Sequence, residues 1–392
     1  MLADRIGRIT PSATLAMTAK AAELRATGKK VINLSVGEPD FQTPENIKNA
    51  GKIAIDDGST RYTPGGGTLE LKIAACTKML RDNKLDYDPS QILISCGGKH
   101  SLYNACQALF QKGDEVVIFS PYWVSFPDFV SVTGAKPVFV KTDPNNQYEP
   151  IWDDLKTKLN LNTKGIIINS PSNPTGGVWS NEAVIKVIEL AKKIDAWVFS
   201  DECYEQLTYD KPYVSTASLV NDYNKILTFQ SCSKTYAMTG WRIGYTAGNS
   251  KVIKAMAKLQ GQSTSCPNSI AQKAAIEALT GDQEIVSKMR KIFKVRRNYI
   301  VTRLNNMEGV ICDKPGGAFY VFPNFTQILR NNNNINSSND LSMYLLANKA
   351  LVSVSGSAFG SDGNIRFSYA ASDNDLSTAM DLLEESLVEI QS

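Results

Sequence analysis

Ser231-Cys232-Ser233-Lys234-Thr235-Tyr236-Ala237-Met238-Thr239-Gly240-Trp241-Arg242-Ile243-Gly244-Tyr245 follows the apolar run 226–229 after a single glutamine. A lysine at a strand end in an apolar setting is costly unless it has chemical work. Its amine loses a proton readily there and can attack a carbonyl, which is what Schiff-base chemistry requires. Ser231, Ser233 and Arg242 are donors suited to a phosphate dianion beside it. Most of the 42 lysines and arginines belong on a solvated surface; the neighbours of Lys234 set it apart.

Working outward, short apolar runs at 92–95, 115–119, 137–140, 165–168, 197–200, 226–229 and 243–247 read as strands. Helical patterns, notably 101–110 and 182–194, fit between many of them. Continuous rather than alternating apolar strands, separated by helices, predict an α/β domain with a mostly parallel sheet covered on both faces. Ligands of such sheets bind at the carboxyl ends of the strands. That rule gathers Cys96-Gly97-Gly98, Asn169-Ser170-Pro171, Asp201 and 231–234 around one crevice. From about residue 283 the pattern changes to a long helix, separated strands (318–322, 352–354, 365–369) and a closing helix, 375–390. This predicts a smaller α+β domain, joined by the opening helix 12–26 and the strand 31–34. The expected division is 1–44 and 293–392 for the small domain and 45–292 for the large one. Thr43-Pro44-Glu45 reads as a helix start with a hydroxyl cap and proline at the first helical position, and Gly58 as the end of that helix. The asparagine-rich stretch 331–339 reads as a mobile surface loop.

Each candidate in the crevice has a structural reading and a chemical one. Asp201 can cap a turn, or it can keep a pyridine nitrogen protonated so that the ring becomes an electron sink. Tyr204 could donate its phenol to a ring hydroxyl, and Asn173 could share that oxygen. Gly97-Gly98-Lys99 places bare backbone N–H groups at a helix start, a phosphate cradle, although no Walker lysine motif is present. Trp123 can stack on a flat heterocycle or fill the core. Arg366, inside the apolar segment 364–369, needs an anion: a substrate α-carboxylate or a structural carboxylate.

Composition narrows the function classes. The 392 residues carry 43% hydrophobic and 21% charged side chains and a net charge of +3, as expected of a globular enzyme rather than a nucleic-acid or anionic-membrane binder. No apolar run approaches the ~20 residues that span a bilayer. Residues 1–10 do not form the apolar core of a signal peptide, so a cytoplasmic location is expected. Seven scattered cysteines, with no close pair, suit reduced thiols. With His100 as the single histidine, any Ser-His-Asp triad would have to be built around it, and a multi-histidine metal site is excluded; no metal is expected.

Taken together these residues resemble the class I, fold-type I pyridoxal-phosphate aminotransferases, particularly the bacterial-type aspartate aminotransferases. The resemblance runs from Pro11-Ser12-Ala13-Thr14 and Gly37-Glu38-Pro39-Asp40-Phe41 to Ile365-Arg366-Phe367-Ser368-Tyr369. It is most specific at 120–125, Asn169-Ser-Pro-Ser-Asn-Pro-Thr-Gly176 and 237–245. It implies that Lys234 forms the Schiff base and shuttles a proton, that Asp201 pairs with the pyridine nitrogen, and that Tyr204 and Asn173 hold the ring hydroxyl. Gly98, Lys99 (through backbone), Ser231, Ser233 and Arg242 would cradle the phosphate, with Trp123 against the ring. Arg366, Asn173 and Gly37 would receive the substrate α-carboxylate, and Tyr62 would reach the phosphate of a neighbouring subunit, implying a homodimer. Lys99, helped by Ser12, would bind a distal carboxylate, which points to aspartate and glutamate with 2-oxoglutarate and oxaloacetate. Prephenate carries a carboxylate that could use the same lysine. Two rivals from other classes are a cysteine-type β-lyase on the same fold and a non-enzymatic regulator; for the latter the sequence offers no additional DNA-binding module. Three positions depart from the family pattern: Cys203 beneath the ring, where oxidation could intrude, Phe126 in place of a polar ring residue, and His100 in place of a common glutamine.

Overall fold

A computed structural model describes residues 2–11 and 13–391. Its strands in chain order are β1 (Ile32–Asn33), β2 (Ile92–Ser95), β3 (Glu115–Ser120), β4 (Lys136–Asp143), β5 (Glu149–Pro150), β6 (Thr163–Asn169), β7 (Trp197–Asp201), β8 (Ile226–Ser231), β9 (Gly244–Ala247), β10 (Tyr320–Val321), β11 (Leu351–Val352), β12 (Val354–Ser355) and β13 (Ile365–Ser368). Eight of them form one sheet in the order β2-β9-β8-β7-β6-β3-β4-β5. The run β8-β7-β6-β3-β4 is parallel. The sheet is nevertheless mixed, because β9 lies antiparallel to both β2 and β8, and β5 antiparallel to β4. An apolar run reports burial, not direction, so β9 could not be told from its neighbours by composition.

The central strands are apolar at consecutive positions because both faces are covered. Ile166 and Ile168 of β6 pack with Val187, Ile188 and Ala191 of the helix Asn181–Lys193. Ile167 points the other way, into a cluster with Leu102 and Cys106 of the helix Gly98–Leu109 and Met256 of the helix Ser250–Ser263. This is the two-residue alternation of a strand with both sets of side chains buried. Register then aligns the strand ends: Asn169 opposite Asp201, Asp201 opposite Phe229, and Ser231 opposite Gly244.

The smaller α+β domain holds the antiparallel sheet β10-β13-β12 and the parallel pair β1-β11. Its core gathers Phe293, Ile300, Leu304, Phe319, Phe325, Phe367 and Leu383. One helix, Glu284–Asn305, serves both domains: Val286 packs beside Ala274 and Leu279 of the large domain, and Phe293 lies in the small-domain core. The strand expected at 352–354 is in fact two, because Ser353 is buried between β11, which pairs with β1, and β12, which pairs with β13.

Two further expectations are corrected. The Thr43 hydroxyl does not cap the helix Glu45–Asp56; Pro44 occupies the cap position, and Thr43 donates to the Ala237 carbonyl at 2.6 Å and accepts from Trp241 Nε1 at 3.0 Å. The asparagine-rich stretch is pinned rather than loose. Asn332 Oδ1 accepts from the backbone N–H groups of Asn334 and Ile335, both at 2.8 Å, its amide donates to Ile390, and Ile335 is buried in the small-domain core. Asparagines that close their own turns look, in composition, like a solvated linker.

Candidate active site

β8 ends at Ser231, and a single helical turn, Cys232–Thr235, carries Lys234 over the sheet edge. Ser231 Oγ accepts from the Ser233 N–H at 3.0 Å, which fixes both hydroxyls beside each other. Lys234 Nζ donates to the carbonyl of Gly37, on the segment that follows β1. Burial lowers the Lys234 pKa, the charges of Arg242 and Arg366 push the same way, and Glu38 opposes them. An amine so placed spends more time as a neutral nucleophile and base than a surface lysine does.

Asp201 is the last residue of β7 and is buried. Burial pushes its carboxyl up to about 7; the charge of Glu202 adds to the rise, while the Cys203 N–H at 3.2 Å and Lys234 pull it down. A carboxylate in this position gains strongly from a cationic partner. Cys203 lines the cavity, but burial and then the Asp201 charge push its thiol up to about 12, which keeps it protonated and sluggish toward oxidants.

Around these two groups lies a cavity of about 270 Å³. It brings together Gly37, Gly98, Lys99, Trp123, Asn173, Asp201, Tyr204, Ser231, Ser233, Lys234, Arg242 and Arg366, twelve of the residues singled out in the sequence. Gly98 and Lys99 open the helix Gly98–Leu109, three residues earlier than expected, so their N–H groups belong to its first turn. The preceding Gly97 has φ +90, which strains any side chain there, and a Cβ would meet Arg242 Nη2 at 2.5 Å and push the guanidinium aside. Arg242 stands exposed at the rim and donates to the Thr239 carbonyl at 2.7 Å. The donor set of Ser231, Ser233, Arg242 and the helix start is what a phosphate dianion needs.

Arg366, on β13, is 2% exposed and has no carboxylate partner among the described residues. Its Nη1 donates to Asn173 Oδ1 at 2.8 Å and its Nη2 to the Ser35 carbonyl at 2.6 Å, while Nε has no partner. Its guanidinium lies over the rings of Tyr320 and Phe359, 4.6 and 5.0 Å from their centroids. Among the described residues no structural salt bridge holds it, and the charge faces the cavity, where an anion can reach it. Lys99 Nζ sits 4.9 Å from the Trp123 ring centroid, and Trp123 is held edge-on by Phe126 and Phe129. Burial and then the charge of Arg242 lower the Lys99 pKa, with Asp128 opposing.

Two residues, Tyr62 and His100, fall elsewhere, and a third is not described. Tyr62 is outside this cavity and 88% exposed. Ser12 lies outside the described residues. His100 does not enter the site; its Nδ1 accepts from the Cys96 N–H at 3.4 Å and so braces the strand end. Sequence reasoning missed Gln230 and Tyr320, which line the same cavity, and gathered Asn169 to the crevice without giving it a role. Asn169 Oδ1 takes the Asn173 N–H at 2.9 Å, and a polar residue ending an apolar strand was the signal for it.

The profile of the class I and II aminotransferases matches residues 29–383. The chain belongs to that family. An aspartate aminotransferase of Bacillus subtilis is 43% identical over 392 residues, covering 100% of this chain and 98% of that protein. A protein named probable aspartate/prephenate aminotransferase from Rhizobium leguminosarum is 43% identical over 385 residues, covering 96% of each. The aspartate aminotransferase of Thermus thermophilus, solved with maleate, superposes on this aminotransferase with a TM-score of 0.93 at 37% identity, covering 98% and 99% of the two chains.

Proposed function

We propose that this aminotransferase moves the amino group of aspartate or glutamate to 2-oxoglutarate or oxaloacetate, using pyridoxal 5′-phosphate. The observation that carries the reading is a buried guanidinium, Arg366, with no carboxylate partner among the described residues, sharing one cavity with a lysine of lowered pKa and a buried carboxylate. The cofactor fits these residues on their chemistry. Ser231, Ser233, Arg242 and the first turn at Gly98 supply donors for its phosphate, Asp201 a negative partner for its ring nitrogen, Tyr204 and Asn173 polar groups for its ring oxygen, and Trp123 a flat face. When bound it supplies the electron sink for bond breaking at the substrate α-carbon. Arg366, with Asn173, binds the α-carboxylate in a fork and fixes the α-hydrogen relative to Lys234. Lys234 Nζ removes that proton and returns it, the role its lowered pKa favours.

Lys99 supplies a second cation for the distal carboxylate, and the Thermus relative was solved with maleate, itself a dicarboxylate. Apoprotein loaded with pyridoxal phosphate should change its visible absorbance on addition of aspartate alone and recover with 2-oxoglutarate. Lys99→Ala should lower kcat/KM for aspartate by about 10–100-fold, the worth of one charge-assisted contact of roughly 1.5–3 kcal/mol, and hardly alter that for alanine. Equal losses for both amino acids would remove Lys99 from substrate selection. Prephenate is the second reading, favoured by the names of relatives such as the Rhizobium protein; a response to prephenate with none to aspartate would establish it instead.

The site is proposed to be completed in a homodimer, where Tyr62 reaches the neighbouring subunit's phosphate site. Leu69 and Ile73, one helical turn apart and 60% and 48% exposed, offer an apolar stripe on the helix that follows Tyr62. Sedimentation should give twice the chain mass, and Tyr62→Ala should weaken cofactor retention while leaving that mass unchanged. A monomer with full activity would refute this assembly. All seven cysteines are free, in keeping with a reducing, cytoplasmic setting. Among the described residues no helix is long and apolar enough to cross a membrane.

A further inference from the structure

Tyr320 lies on β10 between two groups that the proposed reaction uses, and nothing so far gives it a task. Its hydroxyl is 2.8 Å from the hydroxyl of Tyr204, and both side chains are buried. Its ring lies under the Arg366 guanidinium at 4.6 Å, and the residue borders the cavity. The hydroxyl also lies against the Gly37 segment: a Cβ on Gly37 would stand 2.7 Å from it and 3.8 Å from the ring carbon that bears it. Gly37 is the residue whose carbonyl receives Lys234 Nζ. Tyr320 thus touches the phenol, the guanidinium and the lysine's backbone partner at once.

A phenol has one proton to donate. If Tyr204 gives its proton to an acceptor inside the cavity, the short contact between the two hydroxyls is satisfied only by Tyr320 donating to Tyr204. Tyr204 is then polarised and becomes a stronger donor to that acceptor. The ring of Tyr320 acts separately, offering its negative face to a guanidinium that lacks a carboxylate.

We propose that Tyr320 is a positioning residue with two separable functions: its hydroxyl strengthens the hydrogen bond that Tyr204 donates to the ring oxygen of pyridoxal phosphate, and its ring seats Arg366 for the substrate carboxylate. This rests on the cofactor reading above and adds a residue that the reading does not need.

The test uses the full chain loaded with pyridoxal phosphate and reads the pH midpoint of its visible absorbance change. A weaker donor to the ring oxygen disfavours the deprotonated form, so Tyr320→Phe should raise the midpoint by about 0.2–0.5 pH unit, on the scale of cooperative strengthening in a two-bond chain. Tyr204→Phe should raise it further, and Tyr320→Phe added to Tyr204→Phe should move it no more. The maleate Kd should be unchanged in Tyr320→Phe, which keeps the ring, and roughly 2–5-fold weaker in Tyr320→Leu, which removes it. Thermal melts of the cofactor-free variants show whether each is folded. A midpoint unmoved by Tyr320→Phe, or one moved equally in the Tyr204→Phe background, overturns the hydroxyl function. Maleate binding that is indifferent to Tyr320→Leu overturns the ring function. A wild-type protein with no visible band would instead fail the cofactor reading, an outcome separate from both.

Discussion

Lys234→Ala should leave a folded protein that retains pyridoxal phosphate and loses roughly 10,000-fold or more of its kcat, the upper range of what a positioned general base supplies. Covalent participation can only add to that loss. At 1.36 kcal/mol for each factor of ten, the change is about 5.5 kcal/mol in the barrier. Folding should survive because Lys234 makes a single hydrogen bond, to the Gly37 carbonyl, whereas the phosphate donors stand on other residues. Lys99 is the other lysine lining the cavity, and its pKa is lowered too, so the assignment needs a direct check. Borohydride should fix one cofactor mass onto the wild type and onto Lys99→Ala, and none onto Lys234→Ala. If the variant keeps even ~1% of the wild-type kcat, or still gains the mass, the base is elsewhere.

The contrast between Lys234 and Tyr320 shows what a sequence discloses about such a site. Asp201 and Ser231 end β7 and β8, and a polar residue that terminates an apolar strand stands out against it. The strand-end rule for parallel sheets then brings residues from distant parts of the chain to one place before any distance is known. Arg366 was legible for the same reason, as a charge inside an apolar strand. Tyr320 sits in Ala318-Phe319-Tyr320-Val321-Phe322, where an aromatic residue needs no explanation beyond burial. Its significance lies in a hydroxyl pair formed with Tyr204, 116 positions away, and only the packing of the small domain on the large one creates that pair. Thr43 shows the limit at short range. A Thr-Pro-Glu start has a local explanation as a cap, and a tertiary contact to the 237–241 turn overrides it.

Lys78 was equally hidden, and its replacement should have the largest effect on stability. It ends the helix Leu69–Lys78 as a basic residue in the last turn, a place where lysine is ordinarily solvated. Here it is 1% exposed. Its Nζ pairs with Glu205 and donates to Asn83 Oδ1 at 2.9 Å and Gln230 Oε1 at 2.8 Å. Gln230 passes the contact on, its amide donating to Glu202 Oε2 at 3.2 Å, and Glu202 also accepts from Ser200, Ser215 and the Thr216 N–H. One buried carboxylate, Glu205, therefore pairs with the buried ammonium directly, and a second, Glu202, is linked to it through Gln230. Lys78→Met removes the cation beside buried Glu205, leaving it the Asn83 amide, and urea unfolding should show a loss of about 3–5 kcal/mol. Lys78→Met with Glu205→Leu should recover most of it, because removing both charges also removes the desolvation cost that the pair was built to offset. An unchanged urea midpoint in Lys78→Met would mean that the network contributes nothing to stability. The consequence extends to the site, since Glu202 follows Asp201 in the chain and Gln230 precedes Ser231. Relaxing the network frees the ends of β7 and β8 together, so the single variant should also hold pyridoxal phosphate less tightly, and the double variant should regain that affinity along with its stability.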